Sequence, residues 1–220
     1  MKISEVKKEL LSKALISFKL LGFSKKGSLI VKSSQYFEIY LAFGVVDNDN
    51  SFPTTFHFGI SSIVLNNLLF KIFPEKGYKK NQFSGVYGQK QTLLFDKKEY
   101  PILEYDIKNT SDIDKMIADI LDYFQRKIIK KLERLQNVQE LSILLNSQEV
   151  IAESMHLTTT AINALIFCKL SDNINYNLVK SKYRELLKDW SDWDKQELEK
   201  VISFLDNHSQ EELLKISETT

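Results

Sequence analysis

Three histidines and one cysteine are the side chains of this sequence best suited to acid–base, nucleophilic or metal chemistry: His57, His156, His208 and Cys168. They are far apart, and each sits in a different kind of local pattern. No HExxH, His-x-His or CxxC pattern is present, so the sequence supplies no spacing for a bound metal, and no cofactor is expected. Cys168 lies within the apolar run "AINALIFCKL", where a thiol is expected to be inert core. The seven glycines form neither GxxxxGK nor GxGxxG, which removes the usual phosphate cradles, and there is no GxSxG elbow. His57 is the strongest single candidate for a general base, because "TTFHFGIS" reads as a strand with Phe56, Phe58 and Ile60 on one face and His57 on the other. A ligand pocket there would need a neighbour to orient the ring, and Glu38 and Tyr40 on the preceding strand-like run are the expected suppliers. No catalytic residue is assigned.

Two further patterns suggest binding rather than catalysis. "QEVIAESMHLTTTAINALI", residues 148–166, has the layout of a DNA-reading helix-turn-helix, in which Thr158, Thr159, Thr160 and Asn163 would open the reading helix. Against it, His156 stands where the turn glycine usually lies. The reading helix also carries no Lys or Arg before Lys169, although neutralising phosphates supplies most non-specific affinity. "KDWSDWDKQ" places Trp190 and Trp193 three residues apart among acids. Such a surface would suit a basic protein partner, since tryptophan anchors interfaces; the alternative is a helix junction with both rings buried. Lys25 and Lys26 form a basic turn that is either solvated or a patch for an acidic group on a partner.

The elements that must position these residues follow from apolar spacing. Ile3, Val6, Leu10, Ala14, Phe18 and Leu21 mark one face of a helix that Gly22 ends. "SKKGS" reads as a turn, "SLIVK" and "YFEIYLAFGVVD" as strands, "DNDNSFP" as a loop, and "SIVLNNLLFKIF" as a helix that stops before Pro74. "QFSGVYG", "QTLLFD" and "YPILEYDI" read as short strands. From Thr110 the pattern is helical: Ile113, Ile117, Ile120, Phe124, Ile128, Leu132 and Leu135 form one stripe, with Ser111 and Asp114 as the expected cap. Helices are expected near 137–146, 148–155, 158–170, 175–189, 193–206 and 209–217, the last capped by Ser209 and Glu212.

The predicted class is α+β: an N-terminal helix with a mostly antiparallel sheet over residues 1–109, then an all-helical region over 110–220. One alternative is a boundary near 136; another is that the long helix ties both parts together. A helix ending in "LLGFSKKGS", then a strand, a turn and an aromatic strand ending near "FHFGIS", resembles a family of bacterial proteins, the domain of unknown function numbered 4304. The resemblance covers the first half of the chain. It implies a small α+β sheet domain without an assigned activity, of a kind found among bacterial toxin-immunity genes.

Composition narrows the function classes. Lys+Arg 30 against Asp+Glu 29 leaves a net charge of +1, so no whole-molecule field draws the chain to nucleic acid or to an anionic membrane. The charge is polarised along the chain, however. Residues 1–46 hold eight Lys and three Glu, while residues 185–220 hold four Lys and ten Asp or Glu. "MKISEVKKELL" lacks an apolar signal core, and no apolar run is long enough for a membrane span. A single cysteine permits no internal disulfide. The expectation is a cytoplasmic, non-enzymatic protein whose partner is another protein.

Overall fold

The computed structural model describes residues 2–79, 82, 84–88, 104–152, 154 and 156–219. It is an α+β protein: an N-terminal helix, an antiparallel sheet and a helical C-terminal part. Packing divides the chain into two units, one of residues 1–61 and 87–134, the other of residues 62–86 and 135–220. The expected division at 109/110 falls inside the first unit. The change from strand to helix there is a change of local structure, and the long helix that follows is packed with the sheet.

In the first unit, helix α1 (Ile3–Phe18) buries Val6, Leu10, Ala14 and Phe18, the residues recurring every four positions. It continues as a short 3₁₀ turn to Leu21 and stops at Gly22, whose φ of 85° is the left-handed conformation that glycine adopts without strain. Strands β1 (Ser24–Lys26) and β2 (Leu29–Ser33) follow, paired antiparallel with Lys25 opposite Ile30. "SKKGS", expected as a turn, is therefore mostly strand. Only Gly27 and Ser28 turn the chain, a two-residue hairpin that Gly27 permits at φ 62°. Strands β3 (Phe37–Val45) and β4 (Phe52–Ser62) come next. The expected loop "DNDNSFP" is a tight hairpin: Asn48 bridges Ser51, and the Val46 N–H donates to the Pro53 carbonyl at 2.9 Å. The sheet order is β1-β2-β3-β4-β5, where β5 is Ser84–Gly88, and β6 (Glu104–Ile107) pairs antiparallel with the Phe52–Thr55 end of β4. The strand expected at "QTLLFD" and the start of "YPILEYDI" lie outside the described residues.

Helix α3 (Thr110–Tyr123) runs through a π-helical turn (Phe124–Ile128) into α4 (Ile129–Arg134). Ile120, Phe124, Ile128 and Leu132 are four apart, and all four side chains are buried across this turn. The helix is capped by Asn109, whose side chain accepts from Ser111 N and Asp112 N, with Asp112 reaching back to Asn109 N, in place of the expected Ser111–Asp114 pair. Phe124 is the hub of the core. Its ring lies 5.3 Å from Phe18, 5.8 Å from Phe23, 6.5 Å from Phe56 and 6.4 Å from Phe58, all edge-on.

In the second unit, α2 (Ile63–Ile72), capped by Ser62, leads into a 3₁₀ turn at Pro74–Lys76. Then come α5 (Val138–Leu145), α6 (Gln148–Ala152), α7 (Leu157–Leu170), α8 (Tyr176–Leu186), α9 (Asp192–Asp206) and α10 (Gln210–Thr219). Apolar residues surround α7 on all sides, so it is the central helix, packed by α5, α8, α9 and α10. The cap expected from Ser209 and Glu212 is present, with both reciprocal hydrogen bonds. No helix among the described residues is long and apolar enough to cross a membrane.

Candidate functional site

The corner between α8 and α9 exposes the two tryptophans. Leu187 is buried and anchors the end of α8, the Trp190 N–H closes a turn on the Leu187 carbonyl, and Ser191 caps α9 through the Asp194 N–H. The cap fixes Trp193 in the first turn of α9. Trp190 is 39% and Trp193 59% exposed, so the alternative of two buried rings is overturned. Asp189 and Asp192 flank them in solvent. Hydrogen bonds from Ser191 and then Thr158 hold the Asp194 carboxyl below its ordinary pKa, keeping this corner anionic.

A second segment completes the corner. The turn after α2 brings the Lys76 side chain to two rings: its Nζ lies 4.6 Å from the centroid of Phe73 and 4.5 Å from that of Trp193. Lys76 also forms an ion pair with Glu197, one turn along α9 from Trp193. Glu197 is only 8% exposed, a burial that a carboxylate tolerates when it is paired. Tyr78, half-buried, has its hydroxyl pKa pushed up first by burial and then by the Glu197 charge. Lys200 stands over Phe73 at 5.0 Å and pairs with Glu75 at 2.9 Å. The result is an aromatic and acidic cluster of Phe73, Trp193 and Glu197 around the Lys76 ammonium.

Phe73, Lys76, Tyr78 and Glu197 are absent from the sequence-derived candidates. "FPEKGY" read as a helix stop, and nothing local connects it to α9.

The remaining candidates have other roles. Lys25 and Lys26 are neighbours on a strand, so their side chains leave opposite sides of β1 and make no common patch. Lys26 donates to both oxygens of Glu38 at 2.8 and 2.9 Å, and Ser33 donates to the same carboxylate, so Glu38 belongs to a polar sheet network rather than to His57. Tyr40 lies opposite Val31, with its hydroxyl pKa raised by burial. The partner of His57 is Thr55, whose Oγ1 is 2.8 Å from the ring Nε2, while Nδ1 is buried without a partner. Burial lowers the His57 pKa, so its ring is held neutral. Gly44 lies against this pair, and a Cβ there would stand 2.6 Å from Thr55 Oγ1. A groove of about 430 Å³ opens beside them, lined by Gly44, Pro53, Thr55, Tyr105 and Asp106 among others.

The helix-turn-helix reading is corrected by burial. Thr158 is buried and donates to Asp194 at 2.6 Å, Thr160 pairs with Ser154, and Asn163, 5% exposed, donates to the Val86 carbonyl. Only Thr159 of the four faces solvent. With eleven of its fourteen residues buried, α7 has too narrow a free face to lay in a groove. Comparison of the chain with family models, with curated proteins and with solved structures finds no match.

Proposed function

We propose that this chain is a protein-binding protein that holds a basic segment of its partner against the α8–α9 corner. The exposure of Trp193 carries this reading. Large aromatic rings are the usual anchors of protein interfaces, and Trp193 and Trp190 present two of them at one corner. The charge of the segment supports the partner's chemistry, since ten acids stand against four lysines over residues 185–220. An immunity-type or regulatory role, as the resemblance of the N-terminal half implies, is one form of this reading. The test is a titration with a lysine-rich peptide, with a glutamate-rich peptide of equal length as control. The expected result is saturable, salt-sensitive binding of the basic peptide alone, weakened by Trp193→Ala. Binding of neither peptide, or binding indifferent to Trp193, would count against it.

A second reading is favoured by one observation, the groove lined by Gly44, Thr55 and Tyr105, whose Thr55 is the hydrogen-bond partner of His57. It makes the groove a small-ligand site. Screening of small polar compounds by the His57 ring signals tests it, and a ring that responds to none of them removes it.

A further inference from the structure

We infer that Phe73, Trp193 and Glu197 form a cage for a lysine side chain of the partner, and that Lys76 is a built-in plug that must leave before the cage can be used. The inference rests on the binding role proposed for this corner and names the group it recognises. The cluster has the parts that an alkylammonium ion requires: ring faces that attract a cation, and a carboxylate to take an N–H. The Lys76 Nζ stands over the rings of Phe73 and Trp193 at 4.6 and 4.5 Å, and Glu197 takes the ion pair.

The plug is placed to move. Its side chain is 28% exposed, whereas that of Glu197 is 10% exposed, so the cation lies outside the carboxylate. It hangs from a three-residue turn between Phe73 and Gly77, and Gly77 is in the left-handed conformation with nothing within 4 Å of where a Cβ would stand. The cage walls, in contrast, belong to the body of the unit: Phe73 is buried, and Glu197 lies within α9. A primary ammonium is the best-fitting guest, because the resident one is a primary ammonium and Glu197 accepts from it. A quaternary ammonium would keep the ring contacts and lose that hydrogen bond.

An internal lysine in the cage competes with an incoming one. The apparent affinity of the wild type is reduced by the fraction of time that the cage is open, and removing the plug restores it. The test follows the indole N–H signals of the two tryptophans by NMR during titration with n-butylammonium chloride. Lys76→Ala should bind at least about tenfold more tightly than the wild type, with the Trp193 signal moving. Lys76→Gln, which keeps a hydrogen bond to Glu197, gives the same comparison if the alanine variant does not fold. Neopentyl alcohol, a neutral probe of similar bulk, should leave Trp193 unmoved. The inference is overturned if neither variant exceeds the wild type, or if the neutral probe binds equally well. Tighter binding of tetramethylammonium than of n-butylammonium would overturn the assignment to unmodified lysine. A wild type that binds lysine-rich peptide through Trp193, with variants that ignore n-butylammonium, would refute the cage alone. Variants that bind n-butylammonium, with a wild type that ignores the peptide, would refute the proposed function alone.

Discussion

The Nζ of Lys76 lies 4.5 Å from the centre of the Trp193 ring and is paired with Glu197 on the same helix. One cation thus joins the turn after α2 to the first turns of α9. Removing it leaves a carboxylate that is mostly shielded from water. Lys76→Ala should cost about 1–3 kcal/mol, the penalty for a buried polar group that loses its partner. Glu197→Gln in the same chain should recover part of that loss, because an amide is less costly to leave unpaired. A double-mutant cycle by urea denaturation measures the coupling, and additive losses would deny it.

Trp193→Ala should behave differently. The ring is more than half exposed, so its removal forfeits little buried area. The expected loss is about 0.5–1 kcal/mol, the size of a solvent-exposed cation–π contact. Thermal denaturation should therefore show a nearly unchanged midpoint in a variant whose peptide binding is impaired.

Phe124 is the opposite case. Its ring touches four others and is fully buried at the π-helical turn. Phe124→Ala should cost about 3–5 kcal/mol through lost transfer energy and the cavity left behind. Chemical denaturation monitored by circular dichroism reads this directly, and a loss below about 1 kcal/mol would mean that the core refills.

Gly44→Ala introduces a methyl group where Thr55 Oγ1 is 2.6 Å and His57 Nε2 is 3.0 Å away. The hydroxyl is not the end of a long flexible chain, so the strand must shift, at about 1–3 kcal/mol. Thr55→Ala added to Gly44→Ala should relieve the closer of the two clashes. If the double variant is less stable than Gly44→Ala by the full effect of Thr55→Ala alone, the contact is not the cause.

His57 makes stability depend on pH. Burial lowers its pKa in the folded chain below the ordinary 6.5, so the unfolded chain takes up a proton first as pH falls. The His57 contribution is therefore complete above pH 6.5, declines below it, and levels off once the pH passes the folded-state pKa. His57→Asn should flatten that part of the profile. NMR titration of the ring should place its midpoint below 6.5.

Much of the fold is legible in the spacing of apolar residues, because a helix or a strand repeats its own contacts every few positions. Val6, Leu10, Ala14 and Phe18 specify the buried face of α1, Gly22 its end, and Ser209 with Glu212 the start of α10. The stripe from Ile113 to Leu135 is legible in the same way, although its π-helical turn is not, since α1 has the same four-residue steps without one. The hairpins at Gly27 and Asn48–Ser51 were less legible, since polar turn residues look alike whether or not the flanking backbone pairs.

The sequence by itself determined that Trp190 and Trp193 stand among acids and that no metal or phosphate motif accompanies them. Tertiary structure decided what those residues face. Thr158 and Asn163 have the composition of a reading helix, and only the packing of α5, α8, α9 and α10 around α7 turns them inward. Phe73 and Lys76 meet Trp193 and Glu197 because the turn after α2 comes to rest beside α9. Local periodicity records which face of an element is buried. It does not record which distant element will cover that face, because that depends on how whole helices fit together.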